Sequence, residues 1–132
     1  MSQENVEIVR GVYADPHGLS AGASGKIAPD AVFDFSAAYL DGPILSGVKA
    51  LRGFRDSGPW GGSPIHFEPE RFFDLDYERV LVFVRVSATG HGSRVPVELE
   101  GAHEFTIRDE MVVRFKAYGS RAEALEAVGL EE

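Results

Sequence analysis

The apolar positions near the start of the chain recur at steps of three and four residues, the spacing of one side of an α-helix. They are Val6, Val9, Val12 and Tyr13. Pro16 ends the pattern, because proline disfavours the helical conformation of the residue before it. Residues 16–25 are rich in glycine and serine and predict an irregular loop or a frayed helix. The first segment is therefore predicted to form an amphipathic helix of about three turns, packed through its valines.

A short strand and a second helix are predicted next. Residues 31–35, Ala-Val-Phe-Asp-Phe, have strand character, and residues 41–43, Asp-Gly-Pro, indicate a turn. Ser46 is placed to cap a helix whose apolar residues step by three. These residues are Val48, Leu51 and Phe54. Gly58 and Pro59 end this helix.

The second half of the chain changes to the pattern of strands. Four segments are rich in Val, Phe, Ile and Leu and are separated by turn residues: 65–75, 79–89, 94–108 and 111–118. We expect an antiparallel meander, with Pro69 and Pro96 at edges or bulges because proline lacks a ladder donor. Residues 120–123, Ser-Arg-Ala-Glu, match a capping box, and Gly129 is a typical helix stop. The order of elements predicts a single α+β domain over residues 1–132, a curved antiparallel sheet with helices at both ends.

Length and composition narrow the functional classes. A chain of 132 residues fits one domain with one core. With 21 acidic and 13 basic residues, the net charge of −8 disfavours nucleic acid and anionic membrane surfaces as partners. The longest apolar run, residues 80–84, is far too short to cross a bilayer. The chain has no cysteine, and its first residues lack the pattern of a secretion signal, so we expect a cytoplasmic protein.

The candidate polar residues are few. Alternation along residues 94–108 places His103 on the apolar side of its strand, with Leu99, Gly101 and Phe105. His103 is then either a core histidine satisfied by a tyrosine or a carbonyl, or a polar group at a pocket. Tyr13 lies on the apolar side of the first helix, so its hydroxyl would seek a partner there or reach water at the rim of the core.

Asp34 has two interpretations. It lies between Phe33 and Phe35, and alternation gives it the opposite face from theirs. If the phenylalanines point inward, Asp34 is a solvated or interface carboxylate, which is the favoured interpretation. A bulge would turn it inward beside aromatic rings, where desolvation would raise its pKa and suit it to proton transfer.

Other motifs carry less weight. His17, His66 and His91 do not have the spacing of a metal site, so we predict neither a metal nor a cofactor. Residues 18–22 match Gly-x-Ser-x-Gly by letter, but that motif needs a strand before it, and here a proline-terminated helix precedes it. We interpret the match as chance. The glycines of residues 58–62 are interpreted as a mobile rim, with Trp60 as a lid or a packing anchor. Residues 81–84 are apolar on both faces of their strand, which a homodimer would cover.

The order of these segments resembles a known fold. The resemblance rests on five pieces taken in order: the Met-Ser-Gln-Glu-Asn-Val-Glu-Ile-Val-Arg opening with Tyr13, Ala-Pro-Asp-Ala-Val-Phe at 28–33, Ser-Gly at 46–47, His-Glu-Phe-Thr-Ile-Arg-Asp at 103–109, and Tyr-Gly-Ser-Arg-Ala-Glu-Ala-Leu at 118–125. Together they resemble the SnoaL-like branch of the nuclear transport factor 2-like superfamily. The resemblance implies a cone-shaped sheet around the first helix, an apolar pocket between them and a homodimer. This superfamily includes ketosteroid isomerases, polyketide cyclases, epoxide hydrolases and non-catalytic binders, so the fold does not fix the function.

The catalytic patterns of these relatives transfer only in part. The resemblance to ketosteroid isomerases matches Tyr13 to their oxyanion-binding tyrosine and places His103 where they have an aspartate donor. Their catalytic base corresponds to Phe35, one residue from Asp34. Ser120 occupies the place of the essential aspartate of SnoaL-like cyclases, and is better explained as a helix cap. Ala117 occupies the place of a carboxylate needed by limonene-type epoxide hydrolases.

Three hypotheses follow. The first is a cofactor-independent isomerase or cyclase that moves a proton next to a carbonyl of a small apolar or aromatic substrate, with Tyr13 and His103 holding the oxyanion and His103 or Asp34 moving the proton. The predicted lining of its pocket is aromatic: Phe33, Phe35, Phe54, Trp60, Phe105 and Phe115. The second is a non-catalytic ligand-binding homodimer. The third is a structural or interaction module whose cone is filled by its own phenylalanines.

Overall fold

The computed structural model describes residues 2–14, 26–38, 40–57, 65–89 and 96–130. These described residues form three helices and six strands. In order they are α1 (Ser2–Ala14), β1 (Ile27–Ala37), β2 (Ile44–Ser46), α2 (Val48–Ser57), β3 (Ile65–Asp74), β4 (Arg79–Thr89), β5 (Pro96–Arg108), β6 (Met111–Tyr118) and α3 (Arg121–Val128).

All six strands belong to one sheet, in the order β2-β1-β6-β5-β4-β3. Strands β3 to β6 pair with their chain neighbours antiparallel, which is the predicted meander. Strand β1 pairs antiparallel with β2 but parallel with β6. The predicted α+β class and the N-terminal helix, sheet and short C-terminal helix are confirmed, while the sheet is mixed rather than wholly antiparallel.

Helix α1 packs across one face of the sheet, which we call the inner face. Its buried residues are the predicted valines, Val6, Val9 and Val12. The side-chain amide of Asn5 donates a hydrogen bond of 2.7 Å to the backbone carbonyl of Tyr77, in the turn between β3 and β4. This bond joins the start of α1 to that turn, and Tyr13 lies on the last turn of the helix. In the described part of the chain, no helix has the length and apolar character needed to span a bilayer.

The strand boundaries differ from the predictions in the first half of the chain. Strand β1 covers residues 27–37 rather than 31–35, because its parallel partner β6 supports it along its length. Ser46 lies in β2 and not at the start of the second helix, so the capping prediction for Ser46 is wrong. Gly47, between β2 and α2, adopts a φ of 96°, a conformation that glycine takes without strain. The register shift between Pro69 and Arg71, on the edge strand β3, fits the predicted place for a proline.

The opposite face of the sheet, the outer face, has its own small core. Helix α3 packs there through Ala124 and Leu125 against residues from three strands. Those residues are Leu81, Phe83, Ala102 and Tyr118. The apolar outer face of β4 is thus covered in part by the chain's own C-terminal helix. The expected homodimer stays a prediction.

The ends of α3 are those that the sequence predicts. The Ser120 hydroxyl accepts a hydrogen bond from the backbone N–H of Glu123, and Gly129 has the left-handed conformation with φ of 78°. These two features stop the helix at both ends and satisfy backbone groups that would otherwise lack partners. Ser120 is therefore a helix cap, as predicted.

Candidate functional site

Tyr13 and His103 meet on the inner face. Alternation along β5 turns the His103 side chain toward α1, and the last turn of α1 brings the tyrosine over it. The Tyr13 hydroxyl lies 2.7 Å from Nδ1 of His103, a short hydrogen bond. The two rings are nearly parallel, with an angle of 3° and 6.0 Å between centroids. The sequence placed both residues on apolar faces, and the structure joins them into one pair.

Aromatic rings surround the pair. The imidazole of His103 has Phe115 at 4.6 Å, Phe67 at 5.0 Å and Phe105 at 6.3 Å between centroids, all at steep angles. The ring of Tyr13 has Phe105 at 5.8 Å and Phe72 at 6.4 Å, both edge to face. These contacts hold both polar side chains in one orientation, because each ring is packed on more than one side.

Burial keeps the pair uncharged. Desolvation lowers the pKa of His103 to about 3 and raises the pKa of Tyr13 well above its ordinary value of 10.0. At neutral pH the imidazole is therefore neutral and the phenol keeps its proton. A histidine with so low a pKa is a poor proton acceptor at pH 7, but its neutral N–H can still donate a hydrogen bond.

The second ring nitrogen of His103 remains open to a further partner. The hydrogen bond that the structure shows for His103 uses Nδ1. Within the described ranges, no side-chain nitrogen or oxygen that is wholly shut off from solvent lacks a hydrogen-bond partner. Nε2 therefore borders accessible space. If the Tyr13 hydroxyl donates to Nδ1, the neutral ring carries its proton on Nε2 and presents a donor to that space.

Asp34 does not join this pair. It lies on the outer face, 3% exposed, with Oδ2 3.0 Å from the Arg114 guanidinium. Its Oδ1 accepts hydrogen bonds from the hydroxyl and the backbone N–H of Ser36, at 2.6 and 2.9 Å. Burial raises the pKa of Asp34, but the Ser36 hydrogen bonds and the charges of Lys116 and Arg114 outweigh it, so its pKa is lowered. Asp34 thus points outward, as the favoured interpretation has it, but it is buried in an ion pair and not solvated. The inward alternative does not match this geometry.

The predicted aromatic residues divide into two groups. Phe105 and Phe115 contact the His103 ring, and Phe33 reaches it only through Phe115, at 6.2 Å between centroids. Phe35 and Phe54 stack on each other at 5.7 Å, where α2 packs on β1. Trp60 lies outside the described residues. Because Phe33, Phe105 and Phe115 are almost completely buried, they also form the centre of the inner core.

The remaining sequence predictions concern the other histidines and the Gly-x-Ser-x-Gly match. His66 is exposed on β3, whereas His17, His91 and the Gly-x-Ser-x-Gly match lie outside the described residues. Among residues 2–14, 26–38, 40–57, 65–89 and 96–130, no three His, Asp or Glu side chains cluster as a metal site would require.

Sequence reasoning missed two sets of residues. Phe67 was not singled out, although it stands two positions before Pro69 on the same face of β3 and contacts His103. The outer-face partners of Asp34 were also missed, because parallel pairing of β1 with β6 sets Asp34 beside Lys116 and near Arg114. Alternation alone gives the face of a residue but not its neighbour on the next strand.

Solved structures share this fold. No protein-family model matches the sequence, and no curated protein matches it. Two neighbouring structures were solved with a small molecule. The structure of TerC co-crystallised with polyporic acid has a TM-score of 0.72 and 19% identity, with 96% of this chain and 98% of that chain covered. A protein from Catenulispora acidiphila with a ketosteroid isomerase-like fold, in complex with trimethylamine, has a TM-score of 0.65 and 16% identity, with coverage of 99% and 96%.

A third neighbour gives the fold its family context. A protein from Jannaschia, provisionally described as a SnoaL-like polyketide cyclase, has a TM-score of 0.69 and 17% identity, with 99% of this chain and 95% of that chain covered. Similarity at this level of identity establishes the fold and leaves the activity open. The chain thus has the fold of the nuclear transport factor 2-like proteins, with SnoaL-like and ketosteroid isomerase-like structures among its neighbours.

Proposed function

We propose that the chain binds a small, mainly aromatic or apolar molecule and recognises one neutral oxygen of it through His103 and Tyr13. The observation that carries this proposal is the 2.7 Å hydrogen bond between the Tyr13 hydroxyl and His103 Nδ1 within a cluster of aromatic rings. In this proposal the Tyr13 hydroxyl donates to Nδ1, so that the neutral imidazole carries its proton on Nε2 and presents it to the ligand.

The surroundings of the pair select the chemistry of the ligand. The rings around His103 favour an apolar or aromatic body, since burial of apolar surface drives binding. The neutral state of both polar groups favours a carbonyl or phenol oxygen over a carboxylate, which would need a nearby positive charge. The Arg114 guanidinium is paired with Asp34 on the outer face and does not meet that need.

The neighbouring structures agree with a small-molecule role. TerC was crystallised with polyporic acid, and the Catenulispora protein was solved with trimethylamine. The identities of 19% and 16% carry neither ligand over to this chain. They support only the class of function, the binding of a small molecule.

Catalysis of isomerisation or cyclisation is a second candidate, favoured by the neutral hydrogen-bonded pair. When a proton leaves the carbon next to a carbonyl, negative charge develops on the carbonyl oxygen, and a fixed donor in a dry site stabilises it by a few kcal/mol. His103 would supply that donor, oriented by Tyr13. With a pKa of about 3, His103 is better suited to this role than to that of the base, and Asp34 lies on the other face.

Binding is tested with biphenyl and 4-phenylphenol, which differ only by one hydroxyl. We expect the wild type to prefer 4-phenylphenol, and Tyr13→Phe and His103→Asn to reduce that preference by roughly three- to tenfold, the value of one hydrogen bond. Tyr118→Phe is the matched control, because it removes a tyrosine hydroxyl from the outer face, and His66→Asn controls for histidine. Equal affinity of the wild type for both probes would contradict the proposal.

Catalysis is tested separately by turnover. Enones, ketosteroids and polyketide-like aromatics are incubated with the wild type and with His103→Ala, and products are followed by chromatography. Turnover by the wild type that is lost in His103→Ala supports the isomerase or cyclase role. Inactivity of the wild type on the whole panel, with 4-phenylphenol still bound, leaves the chain as a non-catalytic binder.

A further inference from the structure

The inner face carries exposed apolar side chains next to the buried pair. Phe67 is 40% exposed and Leu99 is 55% exposed, although both lie on the face that elsewhere forms the core. The strand register places Phe67 opposite Val86, and Val86 opposite Leu99, so the three side chains form one row across β3, β4 and β5. We call Phe67, Val86 and Leu99 the apolar row.

The apolar row is in direct contact with the pair. The ring of Phe67 lies 5.0 Å from the imidazole of His103, at an angle of 67°. One side of this ring therefore touches a residue that is 4% exposed, while the ring itself is open to solvent. Phe67 marks the place where the buried site meets the surface.

Gly101 keeps the path between the row and His103 clear of a side chain. It lies on the same face of β5 as Leu99 and His103, between them. A Cβ at this position would stand 2.9 Å from the backbone carbonyl oxygen of Tyr118, so any other residue would force β5 and β6 apart. The close approach of β5 and β6 thus requires glycine at position 101, and glycine leaves this position without a side chain.

We propose that Phe67 and Leu99 are specificity-determining residues of the ligand site, which select molecules with a second ring or an equivalent apolar extension beyond the recognised oxygen. This inference rests on the proposed function. The ligand class is an elongated molecule with two apolar parts, whose oxygen-bearing ring meets His103 and whose other part lies on the apolar row. Burial of Phe67 and Leu99 by that second part provides the binding free energy.

The test compares phenol with 4-phenylphenol by calorimetric titration. The wild type should bind 4-phenylphenol more tightly than phenol. Phe67→Leu should weaken 4-phenylphenol by roughly three- to tenfold and phenol by a smaller factor, because Phe67 also packs on His103. Phe73→Leu is the matched control, since it makes the same change on the same strand at a residue that contacts Phe83 on the outer face. Leu99→Gln should act like Phe67→Leu, with Leu40→Gln, at an exposed leucine elsewhere, as its control.

The outcomes separate the two proposals. If 4-phenylphenol binds and depends on His103, but Phe67→Leu and Leu99→Gln weaken both phenols equally or neither, the apolar row has no role in specificity and the oxygen site stands. Tighter binding in Phe67→Leu would show that Phe67 only shields His103, which overturns the inference. If the wild type binds neither phenol, the proposed function fails and this inference fails with it. The Tm of each variant shows whether it is folded.

Discussion

Each face of the sheet carries a tyrosine whose hydroxyl is hydrogen-bonded to another side chain, and the two bonds differ in kind. On the inner face Tyr13 bonds to neutral His103. On the outer face Tyr118 donates to the carboxylate of Glu104 at 2.9 Å, and Glu104 lies 3.5 Å from the Arg79 guanidinium. The inner bond is enclosed by aromatic rings, whereas the outer bond belongs to an ionic network.

The difference follows from what lies next to each strand residue. Burial without a counter-charge removes charge, so on the inner face the pKa of His103 falls. On the outer face the Ser36 hydrogen bonds, with the charges of Lys116 and Arg114, lower the pKa of Asp34 despite its burial. One six-stranded sheet thus separates a neutral environment from an ionic one, and the two should respond differently to mutation and to pH.

The largest effect is expected where the inner rings meet. Phe115 contacts His103, Phe105 and Phe35 and is 1% exposed, so Phe115→Ala should lower the free energy of unfolding by about 3–5 kcal/mol. Phe73→Ala, at a partly exposed ring on the outer side, should cost distinctly less. Urea unfolding of both variants at pH 7 measures the difference. Equal losses would mean that the inner cluster is no more tightly packed than the outer one.

The next effect is the loss of inner-face stability in acid. The pKa of His103 is about 3 in the folded chain and about 6.5 when unfolded, so below pH 6.5 the unfolded state binds the extra proton. This group should therefore lower the free energy of unfolding by about 2 kcal/mol at pH 5, with no effect above about pH 7.5. Urea unfolding from pH 8 to 5 should show a steeper decline for the wild type than for His103→Gln. Parallel curves would contradict a neutral buried His103. An NMR signal assigned to the His103 imidazole that titrates near pH 6.5 would contradict it as well.

Asp34 provides the opposite case on the outer face. Its lowered pKa means that its stabilising effect is present above the unfolded value of about 3.9 and is lost as the pH falls through the folded value. Asp34→Asn should therefore cost about 1–2 kcal/mol at pH 7. The difference in the free energy of unfolding between this variant and the wild type should narrow at pH 2–3. Urea unfolding at pH 7 and at pH 2–3 measures it. A difference that is unchanged in acid would show that the charged form of Asp34, favoured by the Ser36 hydrogen bonds, Lys116 and Arg114, is not its source.

The smallest effect is expected at the helix that covers the outer face. Ser120→Ala removes the cap of α3 and should lower the free energy of unfolding by about 1 kcal/mol. Ser120→Asp keeps a capping oxygen and should stay within a few tenths of a kcal/mol of the wild type. Chemical denaturation at pH 7 measures both variants. A loss in Ser120→Asp as large as that in Ser120→Ala would indicate that the cap is not what Ser120 contributes.

Local patterns predicted a large part of the fold. The four C-terminal strands appeared as segments rich in β-formers between turn residues, and α1 appeared from the spacing of three valines. The capping box and Gly129 gave α3. These features are encoded within a few residues of one another. Strand β2 was missed because three residues are too short to show a period, and its pairing with β1 is what defines it.

The site was predictable in its parts and not in its arrangement. Alternation put His103 on the inner face and Asp34 on the outer face, and helical spacing put Tyr13 on the buried side of α1. The distance between the Tyr13 hydroxyl and Nδ1 depends on how α1 crosses the sheet, which no local pattern encodes. The contact of Phe67 with His103 has the same origin, since it depends on the register of β3 on β4 and of β4 on β5.

The parallel pairing of β1 with β6 bears on how the protein is made. Phe33 of β1 lies opposite Phe115 of β6, about 80 residues later in the chain. At a synthesis rate of roughly 5–20 residues per second, β1 leaves the ribosome roughly 4–16 s before its partner strand exists. During that interval β1 can pair with β2 and Phe35 can stack on Phe54 of α2, but the place of β6 beside Phe33 stays empty. The nascent chain therefore exposes an unpaired strand edge and apolar side chains until its last strand is made.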